Sequence, residues 1–215
     1  MIRILITGFG PFPGAPFNPT PSVVARLLRL RRPAFEDVER TGHIFPVTYT
    51  AVDRQLPGLI ERHRPDGLLM FGLASRTPYL RVETRARNVI SQLWPDAGHA
   101  TVVARTIDPG APAAKSFGRH VPKLFRAAQA TGIFVRPSLN AGSYLCNYLS
   151  WRAIEAARSA DHPCLPAFVH VPPLPRSPSH SKMDRVTLEQ VVDAGEAMLL
   201  TMIGLARQGR LHAQI

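Results

Sequence analysis

The chain has 215 residues, 45% of them hydrophobic, and a formal net charge of +11 at pH 7. This size and composition predict a single domain over residues 1–215 with one sizeable core, and no apolar run is long enough to predict a membrane span. Arginines spread along the chain carry most of the charge, which favours a solvated surface over a nucleic-acid site. The two cysteines suggest no disulfide framework, so we expect a reduced, cytoplasmic protein.

Strand and helix patterns alternate along the chain. The predicted strands cover residues 2–8, 43–47, 67–72, 79–90, 133–138 and 165–171. The predicted helices cover residues 18–30, 50–67, 112–132, 144–160 and 184–209, with a Pro- and Ser-rich loop at 172–182. This alternation predicts an α/β fold with a largely parallel sheet. Ligands of such sheets bind beyond the carboxyl ends of the strands, so the loops that follow the strands are the candidate site.

Cys146 lies in the first turn of the helix predicted at 144–160, directly after a glycine-containing turn. Backbone N–H groups and the helix dipole favour an anion there, which predicts a lowered thiol pKa and a nucleophile. The alternative is a small side chain on the buried face of the helix, and position alone does not decide between the two. Cys164 lacks this setting and is interpreted as structural.

His170 ends the apolar run "AFVH" at the carboxyl end of the last predicted strand. A nucleophilic cysteine needs a base, and histidine is the usual one. Strand alternation puts Glu83 on one face with Arg81, Arg85 and Arg87, where a carboxylate stays ionised and could orient a histidine. The alternative for Glu83 is a charged edge strand. The spacings of histidine and cysteine predict no metal site.

The segment "GFGPFPG", residues 8–14, follows the first predicted strand. Its glycine spacing is not that of a dinucleotide-binding loop, and its prolines remove backbone donors that a phosphate would need. Phe9 and Phe12 stand on this turn, which predicts contacts to a flat, mostly apolar ligand group. The alternative is that both rings belong to the core.

Five ordered segments of the chain resemble the pyroglutamyl peptidase I family, the pyrrolidone-carboxylate peptidases, which are cysteine peptidases. The segments are "ILITGFGPFPGAPFNPT", "IFPVTYTAVDRQLPGLIERHRPDGLLMFGLA", "VETRARNV", "NAGSYLCNYLSW" and "FVHVP", and together they span roughly residues 1–172. The resemblance implies a three-layer α/β/α sandwich with a largely parallel, mixed central sheet. It also implies a homo-oligomer, either a dimer or a tetramer.

The resemblance further implies a thiol protease that removes an N-terminal pyroglutamyl residue from peptides without a metal or cofactor. In this reading Cys146 is the nucleophile, His170 is the base and Glu83 orients the histidine. The intermediate would be a thioester acyl-enzyme. The residues implied to hold the pyrrolidone ring are Phe9, Phe12, Tyr144 and, through its backbone, Leu73.

Two departures from the family pattern bear on the activity. Thr84 stands where the family commonly has an arginine directly after the glutamate, and Leu93 aligns with a further family arginine near the active site. Arg85 could replace the lost charge, because on a regular strand it shares the face of Glu83. The alternative is that Arg85 is simply exposed on an edge strand.

Two other functions stay open at this point. A related amidase could act on another small cyclic or N-acyl group. A catalytically silent relative could instead bind a small ligand. Cleavage of pyroglutamyl, prolyl and acetyl arylamides distinguishes these possibilities.

Overall fold

The computed structural model describes residues 1–12, 14–175 and 186–212, and most of the predicted loop at 172–182 lies outside the described residues. The strands are β1 (Ile2–Phe9), β2 (Val38–Phe45), β3 (Gly67–Leu73), β4 (Leu80–Glu83), β5 (Arg85–Arg87), β6 (Ala114–Ser116), β7 (Val135–Ser138) and β8 (Leu165–Val171). The helices are α1 (Thr20–Arg29), α2 (Tyr49–His63), α3 (Val121–Ala130), α4 (Leu145–Ser159) and α5 (Leu188–His212), and a 3-10 turn covers Pro33–Phe35.

The central sheet has six strands in the order β2-β1-β3-β8-β4-β7. Its neighbouring strands run parallel except for β4 and β8, which pair antiparallel. Helices α1 and α3 pack against α5, and α2 packs against α4. The predicted α/β class, with a mixed and mostly parallel sheet between helices, is confirmed.

The three central strands β1, β3 and β8 are almost continuously apolar because helices cover both faces of the sheet. Phe71, Phe168 and Trp151 are fully buried between sheet and helices, and each such side chain stabilises the fold by about 1.5–3 kcal/mol. Within the described residues, no helix combines the length and apolar character needed to cross a membrane.

A polar contact fixes the turn after β1. Asn18 Oδ1 accepts a hydrogen bond from the Thr20 N–H at 3.0 Å, and Asn18 Nδ2 donates to the Gly10 carbonyl at 3.1 Å. Thr20 Oγ1 in turn bonds both backbone groups of Phe9 at 3.0 Å. The start of α1 is thereby tied to the carboxyl end of β1, where a ligand is expected.

Two predicted elements are wrong in part. The strand predicted at 79–90 is two strands in different sheets, because the Thr84 N–H bonds the Ser138 carbonyl and the chain then leaves β7 to pair with β6. The helix predicted at 112–132 contains a helix only from Val121, and its first part forms β6. Pairing with β5 outweighs the good helix propensity of Ala114 and Lys115, because tertiary contacts override local preference.

Candidate active site

The antiparallel pairing of β4 with β8 brings the predicted acid and base together. Arg81 lies directly opposite His170, and Glu83 lies opposite Phe168. Residues two apart on a strand share a face, so the side chains of Arg81, Glu83 and His170 lie on the same face of the sheet. On that face a long side chain reaches a diagonal neighbour on the adjacent strand.

Glu83 and His170 form a buried hydrogen bond of 2.7 Å between Oε1 and Nδ1. The Glu83 side chain is fully buried and His170 is nearly so. Burial alone would raise the pKa of Glu83, but the hydrogen bond from His170, the polar side chain of Ser138 and the charges of His170 and Arg81 outweigh it and lower the pKa. Because an ionised carboxylate only accepts, the proton of the neutral imidazole is on Nδ1, and Nε2 is left as the basic nitrogen.

Cys146 is the second residue of α4, and its sulfur lies over β3. A Cβ atom at Gly72 would be 2.7 Å from Cys146 Sγ and 2.6 Å from Phe168 Cζ. Gly72 is the register partner of His170 on the neighbouring strand. The missing side chain at Gly72 therefore makes the space for the thiol, over the strand that adjoins that of His170.

The expectation of a lowered thiol pKa at Cys146 is wrong. Burial, and then the negative charge of Glu83, raise the pKa of Cys146 to about 12, while Arg81 opposes the rise. The start of α4 favours an anion by only about 0.3–1 kcal/mol in most settings. A thiol with such a pKa is protonated at neutral pH.

The predicted ring-binding residues lie at the same edge of the sheet but differ in exposure. Phe12 and Tyr144 are partly exposed, and their ring centroids are 6.3 Å apart. Leu73 is partly exposed at the end of β3. Phe9 is buried and packs against Phe45 at 6.0 Å between centroids, so its ring belongs to the core, which was the alternative reading.

The predicted substitute arginine is in the wrong place. Arg85 is exposed on β5, and its Nε donates to the Leu139 carbonyl at 2.9 Å. The guanidinium that contacts Glu83 belongs to Arg81, with Nη2 at 2.7 Å from Oε1. Leu93 is 86% exposed, and Thr84 Oγ1 donates to the Ser138 carbonyl.

Two residues of this site, Gly72 and Asn147, were not singled out from the sequence, and Arg81 was named there only as one of the arginines that share the face of Glu83. Asn147 is buried, accepts from the Arg87 N–H at 2.9 Å and donates to the Arg87 carbonyl at 2.8 Å, which holds β5 against α4. The position of Asn147 directly after Cys146 was the available signal. The roles of Arg81 and Gly72 depend on strand register, which the sequence does not reveal.

A family model described as pyroglutamyl peptidase matches residues 2–203 of the chain. The chain belongs to the pyroglutamyl peptidase family. The resemblance first seen in five segments is thereby confirmed, and it extends beyond residue 172. No group of three or more His, Cys, Asp or Glu side chains within the described ranges is placed to hold a metal ion.

Named members of this family match nearly the whole chain. The pyrrolidone-carboxylate peptidase of Vibrio vulnificus (strain YJ016) is 32% identical over 210 residues, which cover 94% of this chain and 93% of the relative. That of Thermococcus onnurineus (strain NA1) is 30% identical over 202 residues, covering 94% and 99%. The solved pyrrolidone carboxyl peptidase from Thermococcus litoralis has a TM-score of 0.85 at 25% identity, covering 97% and 96%.

Adding one methyl group at Gly72 should disturb the thiol without replacing any titratable side chain. In Gly72→Ala the new Cβ meets Cys146 Sγ and the Phe168 ring, so one of them must move. We expect hydrolysis of a pyroglutamyl arylamide to fall at least about tenfold, as reactive groups misplaced by about 1 Å commonly lose more. Gly58→Ala is the control, because its Cβ has open space, and should keep full activity. Unchanged kinetics in Gly72→Ala would contradict this account of the thiol's position.

The raised thiol pKa predicts slow alkylation of the free protein at neutral pH. A thiol with a pKa of about 12 is almost entirely protonated at pH 7, and only the thiolate attacks iodoacetamide. In a Cys164→Ala background, the alkylation rate of Cys146 should be below that of a free cysteine at pH 7 and should still rise above pH 9. Mass spectrometry against time measures it. Fast alkylation with an inflection below pH 7 would show a preformed thiolate instead.

Proposed function

We propose that this member of the pyroglutamyl peptidase family removes N-terminal pyroglutamyl residues from peptides, with Cys146 as nucleophile, His170 as base and Glu83 as the orienting acid. The observation that supports it most is the 2.7 Å Glu83–His170 bond beside a thiol at the start of a helix. Geometry of this kind, with nucleophile, base and a third group that orients the base, is the signature of covalent catalysis.

The proton steps follow from the hydrogen bonds. Glu83 holds Nδ1–H of His170, so Nε2 takes the proton of the Cys146 thiol as sulfur attacks the scissile carbonyl. No described side chain caps α4, so backbone N–H groups of its first turn are available to the developing oxyanion. The imidazolium then protonates the departing amine and a thioester remains. A water that gives its proton to His170 hydrolyses the thioester and releases pyroglutamate.

The surroundings of the thiol suit a neutral, compact acyl group. Phe12 and Tyr144 are aromatic and partly exposed, and Leu73 adds an apolar side chain and backbone groups. The pyroglutamyl lactam carries no charge, whereas a free N-terminal glutamate would have to bury an ammonium and a carboxylate among these rings. These surroundings therefore favour the cyclic pyroglutamyl group over a free N-terminal glutamate.

We also propose that the protein is one domain over residues 1–215 and acts in the cytoplasm as a homo-oligomer, a dimer or a tetramer. One central sheet and a continuous core support the single domain. Both cysteines are free, which is consistent with a reducing compartment. Light scattering coupled to size exclusion measures the assembly, and a monomer at all concentrations would contradict it.

Substitutions in the triad should separate its members by the size of the loss. Cys146→Ala should abolish cleavage of a pyroglutamyl arylamide, and His170→Ala should lower kcat by several orders of magnitude. Glu83→Gln should cost less than His170→Ala, because it removes orientation and charge but leaves the base. Cys164→Ala is the matched control and should keep most of the activity. Full activity in Cys146→Ala, or cleavage of prolyl or acetyl arylamides in preference to pyroglutamyl, would overturn the proposal.

Alanine substitutions of Phe9 and Phe12 should have different effects on substrate binding and on stability. Phe12→Ala removes a partly exposed ring, so we expect a raised KM and weaker inhibition by 2-pyrrolidone with little change in the free energy of unfolding. Phe9→Ala empties a core position and should lower the free energy of unfolding by about 3–5 kcal/mol. Kinetics paired with urea unfolding measure both. An unchanged KM in Phe12→Ala would show that the Phe12 ring does not contact the substrate.

A further inference from the structure

The guanidinium of Arg81 bridges two parts of the site. On one side its Nη2 and Nε atoms donate to Glu83 Oε1 at 2.7 and 3.2 Å. On the other side Nη2 donates to Ser138 Oγ at 3.0 Å and to the Asn140 carbonyl. One planar group therefore contacts both the acid and the chain segment that follows β7.

That segment, residues 138–145, leads directly into Cys146, and we call it the nucleophile turn. Its conformation depends on local contacts: the Asn140 N–H donates to Ser138 Oγ at 3.2 Å, and the Gly142 N–H donates to Asn140 Oδ1 at 3.0 Å. Gly142 has φ of 87°, a left-handed value that a side chain disfavours. The hydrogen bond from Arg81 to the Asn140 carbonyl is thus made six residues before Cys146, close to the tight bend at Gly142.

We infer that Arg81 is a positioning residue of this site, which fixes Glu83 relative to the nucleophile turn and supplies the positive charge that keeps the acid ionised. The inference rests on the proposed function, because it assigns Arg81 a role through Glu83 and Cys146. Arg81 is not assigned any contact with the substrate.

Charge and burial support this assignment. The Glu83 side chain is fully buried and that of Arg81 is 22% exposed, so the pair is only weakly screened. The groups that face Glu83 are His170 from β8, Cys146 from α4, Ser138 from β7 and Arg81 on its own strand. Arg81 is the permanently charged cation of this set, since a guanidinium does not lose its proton in proteins.

The positive charge of Arg81 acts on both Glu83 and Cys146. Burial raises the pKa of Glu83, and Arg81 is among the groups that lower it again. Burial and Glu83 raise the pKa of Cys146, and Arg81 opposes that rise as well. Removing the charge should therefore move both pKa values upward.

The test compares Arg81→Gln, which keeps hydrogen-bond donors without charge, with Arg81→Lys, which keeps the charge without the planar fork. Arg136→Gln is the matched control, because Arg136 is the register partner of Arg81 on β7 but stacks over Tyr79 at 4.9 Å. Circular dichroism and thermal melting establish that each variant is folded. Both the pH dependence of kcat and that of Cys146 alkylation are then measured.

In Arg81→Gln we expect kcat to fall about 10- to 100-fold, the loss typical of one charge-assisted hydrogen bond. The acidic limb of its pH–rate profile should move to higher pH, because Glu83 protonates more readily without the charge. Alkylation of Cys146 should also need a higher pH. Arg81→Lys should keep both profiles near those of the parent at a reduced kcat, and Arg136→Gln should match the parent throughout.

Two results would overturn the inference. One is an Arg81→Gln variant with the parent's kcat and pH profile. The other is an equal loss of kcat in Arg81→Gln and Arg81→Lys with no change in either pH profile, which would mean a role in folding alone. If the parent itself cleaves no pyroglutamyl arylamide, the proposed function fails; the alkylation profiles, which need no substrate, still decide whether Arg81 acts on the thiol.

Discussion

The site depends on keeping one negative charge, that of Glu83, inside the protein. A buried carboxylate without partners would take up a proton, and it could then no longer hold the histidine as a hydrogen-bond acceptor. Here Oε1 receives bonds from both His170 and Arg81, while Oε2 has no partner among the described residues. Breaking such a buried pair by removing one partner typically costs about 3–5 kcal/mol. The antiparallel placement of β4 beside β8 is what makes these contacts possible, because it sets Arg81 opposite His170.

An ionised Glu83 and a Cys146 thiolate would place two negative charges close together, and each charge disfavours the other. Burial and then the nearby charge of Glu83 oppose formation of a thiolate, and they raise the pKa of Cys146 to about 12. In the proposed mechanism, proton transfer to His170 at the moment of attack therefore takes the place of a thiolate at rest. A single arginine that touches the acid and the turn before the nucleophile reduces the conflict, since its charge favours both anions.

Local patterns in the sequence were sufficient to predict most of the helices and strands and to select the candidate site residues. Buried strands such as β3 and β8 are compact apolar runs, and Cys146, Glu83 and His170 were proposed as site residues from residue type, position and family resemblance. The errors arose where long-range pairing decides the outcome. Residues 114–116 are a strand only because β5 lies beside them, and Arg85 left the face of Glu83 because the chain changes sheets at Thr84. Register likewise decides what Gly72 and Arg81 touch.

The structure shows the surroundings of Thr84 and Leu93, the two departures from the family pattern. Thr84 cannot contribute charge, and its hydroxyl is occupied by the Ser138 carbonyl. Leu93 is 86% exposed and carries no charge at all. Neither residue places a positive charge beside Glu83, and burial without a nearby cation would favour the protonated form of the carboxyl group. Arg81 supplies a guanidinium from the other side of Glu83 along the strand, at 2.7 Å. The positive charge beside Oε1 therefore comes from Arg81, two residues before Glu83 on the same strand, and not from position 84 or 93.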